Sequence, residues 1–83
     1  MYEHLDESIA VIALFEQGRL RPIRFRWKDR VYRIARITGQ WIAYQGQRKL
    51  HHYAALCEGS SVFELCYDPA NTAWRLQGVH LDA

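Results

Sequence analysis

Arginine is the residue type whose number and spacing in this chain can do chemistry. In the stretch RPIRFRWKDRVYRIAR, residues 21–36, seven of sixteen side chains are basic, and nearly all of them alternate with apolar or aromatic ones. A guanidinium presents a planar fork of donors that fits phosphate or carboxylate two bonds at a time, so the pattern points to capture of an anion, either nucleic acid or an acidic protein surface. From 19 to 36 there are eight basic groups against Asp29 alone, a local charge of +7, while the remainder carries −5 and the whole chain only +2. Such polarisation steers an anionic ligand, and it would equally pair one copy of the chain with another.

The other reactive residue types are poorly arranged for catalysis. His51 and His52 are adjacent, so in an extended strand their rings point to opposite faces and cannot chelate one ion; His4 and His80 lie near the two ends of the chain. Ser60 and Ser61 have turn composition and lack the neighbouring base and orienting acid that a nucleophile needs. Glu64 and Asp68 are four apart at a strand end, and Glu58 belongs to a turn, so no paired carboxylates are expected. Cys57 and Cys66 have no His or Cys at ligand spacing and read as free, buried thiols. With a two-residue turn at Gly59-Ser60, Cys57 would face Val62 and Cys66 would face Tyr53. The expectation is a protein that is not an enzyme and has no metal or cofactor.

The elements that would position the arginines are strands. Period-2 patterning with turn compositions about every ten residues argues for an all-β domain. Ile9–Phe15, IAVIALF, is the first candidate strand, with a helix over 8–17, capped by Ser8 and stopped by Gly18, as its competitor; the β-branched Ile9, Val11 and Ile12 favour the strand. Leu20–Trp27 follows, with Ile23, Phe25 and Trp27 on the core face and Arg24 and Arg26 on the other. Lys28-Asp29 reads as a tight turn into Val31–Thr38, whose Tyr32 and Ile34 meet the same core face. The apolar phase then slips by one, which a β-bulge near Ala35 and Arg36 would repair while bending the sheet toward closure. Residues 39–50 read as a loop or short helical turn carrying Trp41 and Tyr44. His52–Cys57, Val62–Tyr67 and Trp74–Leu81 complete the meander, separated by EGSS and DPANT. Trp27 and Trp74 are expected in the core.

With a two-residue turn at Lys28-Asp29, Arg24 lies directly across from Arg33; with a turn one residue later, Arg26 does. Like charges so placed destabilise a hairpin by tenths of a kcal/mol up to about 1 kcal/mol, which a bound anion would relieve. Arg24, Arg26, Lys28, Arg30 and Arg33 are therefore the candidate anion- or nucleic-acid-binding residues. Phe25 and Trp27 belong to the core, so exposed aromatic contacts would have to come from Trp41 and Tyr44. The competing explanation is an ordinary solvated face, screened by Glu16 or an acid of the last strands, that blunts an exposed sheet against edge pairing.

The motif FEQGRLRPIRFRWKDRVYRIARI, with VFELCYD and a later W-x-L-x-x-V, resembles a family of small uncharacterised bacterial all-β proteins. The shared pattern is a glycine, P-x-x-F-x-W, a basic turn, Y-x-[IV] and a closing strand pair with Y/F-x-L and W, met here by Pro22, Phe25, Trp27, Tyr32, Ile34, Phe63, Leu65 and Trp74. The resemblance implies a small β-rich fold and, through relatives encoded near error-prone DNA polymerases, a context of DNA repair or replication. It implies no activity.

Eighty-three residues, 49% hydrophobic and 24% charged, make one folded domain over 1–83, with 1–7 expected as a mobile N-terminus. The acidic start without a basic n-region, and an apolar run far short of the about 20 residues of a membrane span, lead to the expectation of a cytoplasmic, soluble protein. A domain of this size yields about 3–5 kcal/mol of net stability, so self-association is expected to be useful to it. The fold expected is an antiparallel meander of five or six strands, strongly bent or closed as an SH3-like barrel. Two functions follow: a binding module that engages nucleic acid through the basic hairpin, or a self-associating interaction protein.

Overall fold

The computed structural model describes residues 1–81. Six strands follow one another in the chain: β1 (Tyr2–Glu16), β2 (Arg19–Trp27), β3 (Arg30–Gln45), β4 (Arg48–Cys57), β5 (Val62–Asp68) and β6 (Ala73–His80). Each pairs antiparallel with its sequence neighbour, and β1 closes the ring on β6. There is no helix among the described residues, so none crosses a membrane.

The ring is uneven because its two longest strands each change partner midway. β1 pairs with β6 from Tyr2 to Ile9 and with β2 from Ala10 to Glu16. β3 pairs with β2 only from Arg30 to Arg33, then with β4 from Ile34 to Gln45. Register shifts mark the bends: Ala35 is the extra residue expected in β3, Thr38 is a second, and Ile23 is bulged out of β2 opposite the Ile12/Ala13 step. A bulge locally increases twist and bends the strand, which is how short strands close on themselves. The bulge also takes Ile23 out of the expected core face: it is only half-buried, and Pro22 is buried beside it.

Phe25, Tyr53, Phe63, Leu65, Leu76 and Val79 form the centre of the core, with Ala55 and Cys57. Phe25 stacks on Tyr32 at 5.2 Å between centroids and meets the edge of Phe63 at 5.2 Å. Trp27 and Trp74, expected in the core, pack against it but are only half-buried. Their polar and aromatic edges serve the rim instead, where Trp27 Nε1 donates to Glu7 Oε1 at 3.0 Å and Trp74 lies against Tyr67.

Three further expectations are corrected. Residues 39–50 hold neither a loop nor a helical turn; they are a continuous hairpin, with Gln45 opposite Arg48 and Gly46 supplying the positive φ of 62° at its two-residue turn. Residues 2–7, expected to be mobile, are the first half of β1, tied down by the Met1 amine donating to the Leu81 carbonyl and Leu81 N donating to Met1 O. The β4–β5 turn has three residues, not two, since Cys57 N donates to Ser61 O, so the register moves by one. Cys66 therefore faces His52 and not Tyr53, and Cys57 faces Ile34 across to β3. Both thiols are free and buried, and burial pushes that of Cys57 up to about 11, leaving it unreactive at neutral pH.

Two side chains close the ends. Tyr2 lies flat over Gly78, where any Cβ would collide with its ring, and donates its hydroxyl to Glu64 Oε1 at 2.9 Å. Tyr2→Ala is expected to destabilise the domain by about 1 kcal/mol, which thermal unfolding should read as a drop in Tm of about 4–8 °C. At the other end the buried Asp68 accepts from Arg48, from Ala70 N at 3.0 Å and from Asn71 Nδ2 at 2.9 Å, organising the β5–β6 turn. The Arg48 bond above all holds its carboxyl below the usual carboxylate range. That stability is present above about pH 4 and is lost as pH falls through the lower folded value. Acid titration of the unfolding midpoint should show this loss in the native chain and a smaller one in Asp68→Asn.

Candidate nucleic-acid interface

The type I′ turn at Lys28 (φ 52°) and Asp29 (φ 61°) sets the geometry of the basic hairpin. It puts Trp27 opposite Arg30, Phe25 opposite Tyr32 and Arg24 directly opposite Arg33, the register of the two expected that goes with a turn at these residues. Across the three-stranded sheet the outward rows read Ile12–Arg24–Arg33 and Ala10–Arg26–Val31. Opposed residues in such a ladder have Cα atoms about 4.5–5.5 Å apart, so the Arg24 and Arg33 guanidinium groups share one patch of surface.

The five candidate cations divide between two surfaces. Arg24, Arg26 and Arg33 project from the outer face. Lys28 and Arg30 turn to the barrel end, where Lys28 Nζ lies 4.8 Å from the centre of the Trp27 ring and Arg30 Cζ 5.3 Å from that of Tyr32. Rings loaded this way hold their cations by attraction to the π face and remain structural. An open groove of about 740 Å³ joins the two surfaces, with Arg24, Arg26, Arg30 and Arg33 in its walls beside Ile12 and Val31.

Among the described residues no acid lies within ion-pair distance of Arg24, Arg26 or Arg33. Glu16, a candidate to screen them, instead approaches Arg21 at 3.6 Å with both side chains exposed. Asp6 holds Arg75 and Asp68 holds Arg48. Glu58 lines the groove without closing on any arginine.

Trp41 and Tyr44 are exposed, as a contact role would require, but they sit on the β3–β4 arm and not in the arginine groove. Trp41 belongs to the outward row Trp41–His52–Cys66–Arg75 and stacks on His52 at 5.4 Å with the planes 5° apart. His51 points the other way, toward Tyr67, so the two adjacent histidines face apart as extended backbone requires. Burial lowers the pKa of His52 below its ordinary value and outweighs the opposing pull of Glu64. Titration of the His52 ring by NMR should give a midpoint below about 6.5, and Trp41→Ala, which opens the ring to water, should raise it; an unmoved midpoint would mean that the stack does not bury His52.

What the basic pattern alone does not reveal is how apolar the arginines' surroundings are. Ile12 and Val31, which line the groove with the arginines, are substantially exposed, and so is Leu14, two residues along β1 from Ile12. The parity of IAVIALF already puts Ile12 and Leu14 opposite in phase to Ile9 and Val11, so the signal existed in the period of the strand. Comparisons with protein-family profiles, with characterised proteins and with solved structures return no match to this chain.

Proposed function

We propose that this chain is a small binding module that holds the phosphate backbone of nucleic acid against the outer face of the β1–β2–β3 sheet. The observation that carries the reading is the direct opposition of Arg24 and Arg33, flanked by Arg26, with no acid among the described residues closing on any of the three. A free hairpin of this kind is destabilised by its own charge, and phosphate relieves it. Lys28 and Arg30 contribute field at the rim while staying on Trp27 and Tyr32. Because Trp41 and Tyr44 lie on another surface, binding works through the backbone and carries little sequence preference. The resemblance of the β2–β3 and β5–β6 motifs to small bacterial proteins supports a cytoplasmic role beside DNA repair or replication. An acidic protein surface would use the same three arginines and is the reading that survives if nucleic acid fails.

The experiment is fluorescence anisotropy of single-stranded DNA and RNA across a salt series. Three phosphate contacts give a slope of log K against log salt of about −2. Arg24→Ala with Arg33→Ala should flatten it by about 1 or more. Absence of binding at low salt, or a slope indifferent to the double substitution, overturns the proposal. Arg24→Glu separates function from stability: it should raise the stability of the free domain by up to about 1 kcal/mol while weakening binding.

A further inference from the structure

After Ile9 the first strand leaves β6, and among the described residues no other strand takes that place along the edge of Ala10–Glu16. The segment pairs with β2 on its other side alone. An open edge presents a row of unpaired backbone donors and acceptors, and proteins blunt such edges with charge or proline. Arg19–Ile23 of β2, likewise unpaired on one side, follows that rule with Arg19, Arg21 and Pro22. Ala10–Glu16 does the opposite: AVIALF has no charge and no proline before Glu16, and Ile12, Leu14 and Phe15 are exposed. The segment has the composition of a strand that is paired in use.

We infer that Ala10–Glu16 is the seam of a two-fold dimer, in which β1 of one copy adds antiparallel to β1 of a second. The inference is independent of the nucleic-acid reading. The free segment itself sets the register: seven residues overlap in full only around its midpoint, Ala13, so residue numbers across the seam sum to a constant. Ala13 then faces Ala13 of the second copy, Ile12 faces its Leu14, Val11 its Phe15 and Ala10 its Glu16. Outer-face residues meet outer-face residues, as an axis perpendicular to the sheet requires.

Charge selects a second copy over an unrelated strand. Ala10 has Arg26 beside it on β2, on the same face. Across the seam Glu16 of the second copy would stand on the other side of that methyl group. Arg26 and this Glu16 are then two strand spacings apart, about 9–10 Å between Cα atoms, with only alanine between them and long side chains able to meet above it. The contact occurs twice, once for each end of the seam. It gives Arg26 a carboxylate where no acid among the described residues closes on it, while Ile12 and Leu14 of both copies cover one another between the two charge pairs. The product is one continuous antiparallel sheet, β3-β2-β1 followed by the same strands of the second copy in reverse.

Sedimentation velocity of the full chain should show a concentration-dependent monomer–dimer equilibrium with a dissociation constant of about 1–100 μM, the weak end expected of a seven-residue seam. High salt should leave most of the dimer in place, whereas it releases nucleic acid, so failure of one reading is distinguishable from failure of the other. Ile12→Lys with Leu14→Lys alters side chains already exposed in the monomer and should abolish the dimer without changing the far-UV circular dichroism. Ala13→Cys should form an intermolecular disulfide under mild oxidation, because the two Cα atoms meet within disulfide range, whereas Ala10→Cys, six positions from itself across the seam, should not. A strictly monomeric chain, a dimer that survives the double lysine variant, or a dimer that Ala13→Cys fails to link would each overturn the inference.

Discussion

Closure of a six-strand ring from so few residues depends on two strands doing double service. Flat strands of ordinary length could not return β1 to β6, because the accumulated twist of a short meander carries the edges past one another. The chain solves this with fifteen- and sixteen-residue strands that leave one neighbour and join another, and with bulges at Ala35, Thr38 and Ile23 that supply the turn. Where β2 and β3 separate, the Tyr53 hydroxyl reaches across from β4 to the Leu20 carbonyl at 3.0 Å. Nothing in the aromatic core could assemble without that bend, since Phe25 from one sheet and Phe63 from the other meet only once the ring has closed.

The surface features follow from the same constraint. A strand that changes partner leaves part of one edge unpaired, so bending β1 creates the open stretch Ala10–Glu16, and bending β3 opens the ring between β2 and the β3–β4 arm. In that opening Phe15, Leu20, Ile42 and Tyr67 line a groove of about 410 Å³. The arginine face lies on the short sheet between these two irregularities, where β2 and β3 are paired for only a few residues. Its like charges are tolerated because a type I′ hairpin and the stack of buried Phe25 on half-buried Tyr32 hold the register from the other face. Stability and charge are thus assigned to opposite sides of the same residues.

The hairpin from Arg19 to Arg33 was the most legible part of the chain. Alternation and a single phase of aromatics leave two registers, with Arg24 or Arg26 opposite Arg33; the turn at Lys28-Asp29 selects Arg24, and a bulge takes Ile23 out of the phase. The bulge at Ala35 was legible for the same reason, as a one-residue slip between Ile34 and Ile37. The arm at 39–50 was not. Its glycines and glutamines resemble a loop because local composition cannot distinguish Gly39, a strand residue paired with Ala54, from Gly46, which turns the chain at positive φ. The β4–β5 register slipped by one because a Gly-Ser pair suits a two- or a three-residue turn equally well.

Sequence alone determined the shared phase of Phe25, Trp27 and Tyr32, the presence of a hairpin turn between β2 and β3 and the separation of a basic outer row from an aromatic inner one, because these depend on neighbours a few residues apart. Only the tertiary structure decided that residues 2–7 join the ring, that Trp41 and Tyr44 stand away from the arginines, that Lys28 and Arg30 leave the outer row for Trp27 and Tyr32, and that β1 carries an open apolar edge. Each of these depends on which distant strand a segment meets and where the pairing stops. That is settled by the closure of the ring and by the volume of its core, and period-2 patterning, which reports only the two faces of a strand, is blind to its two edges.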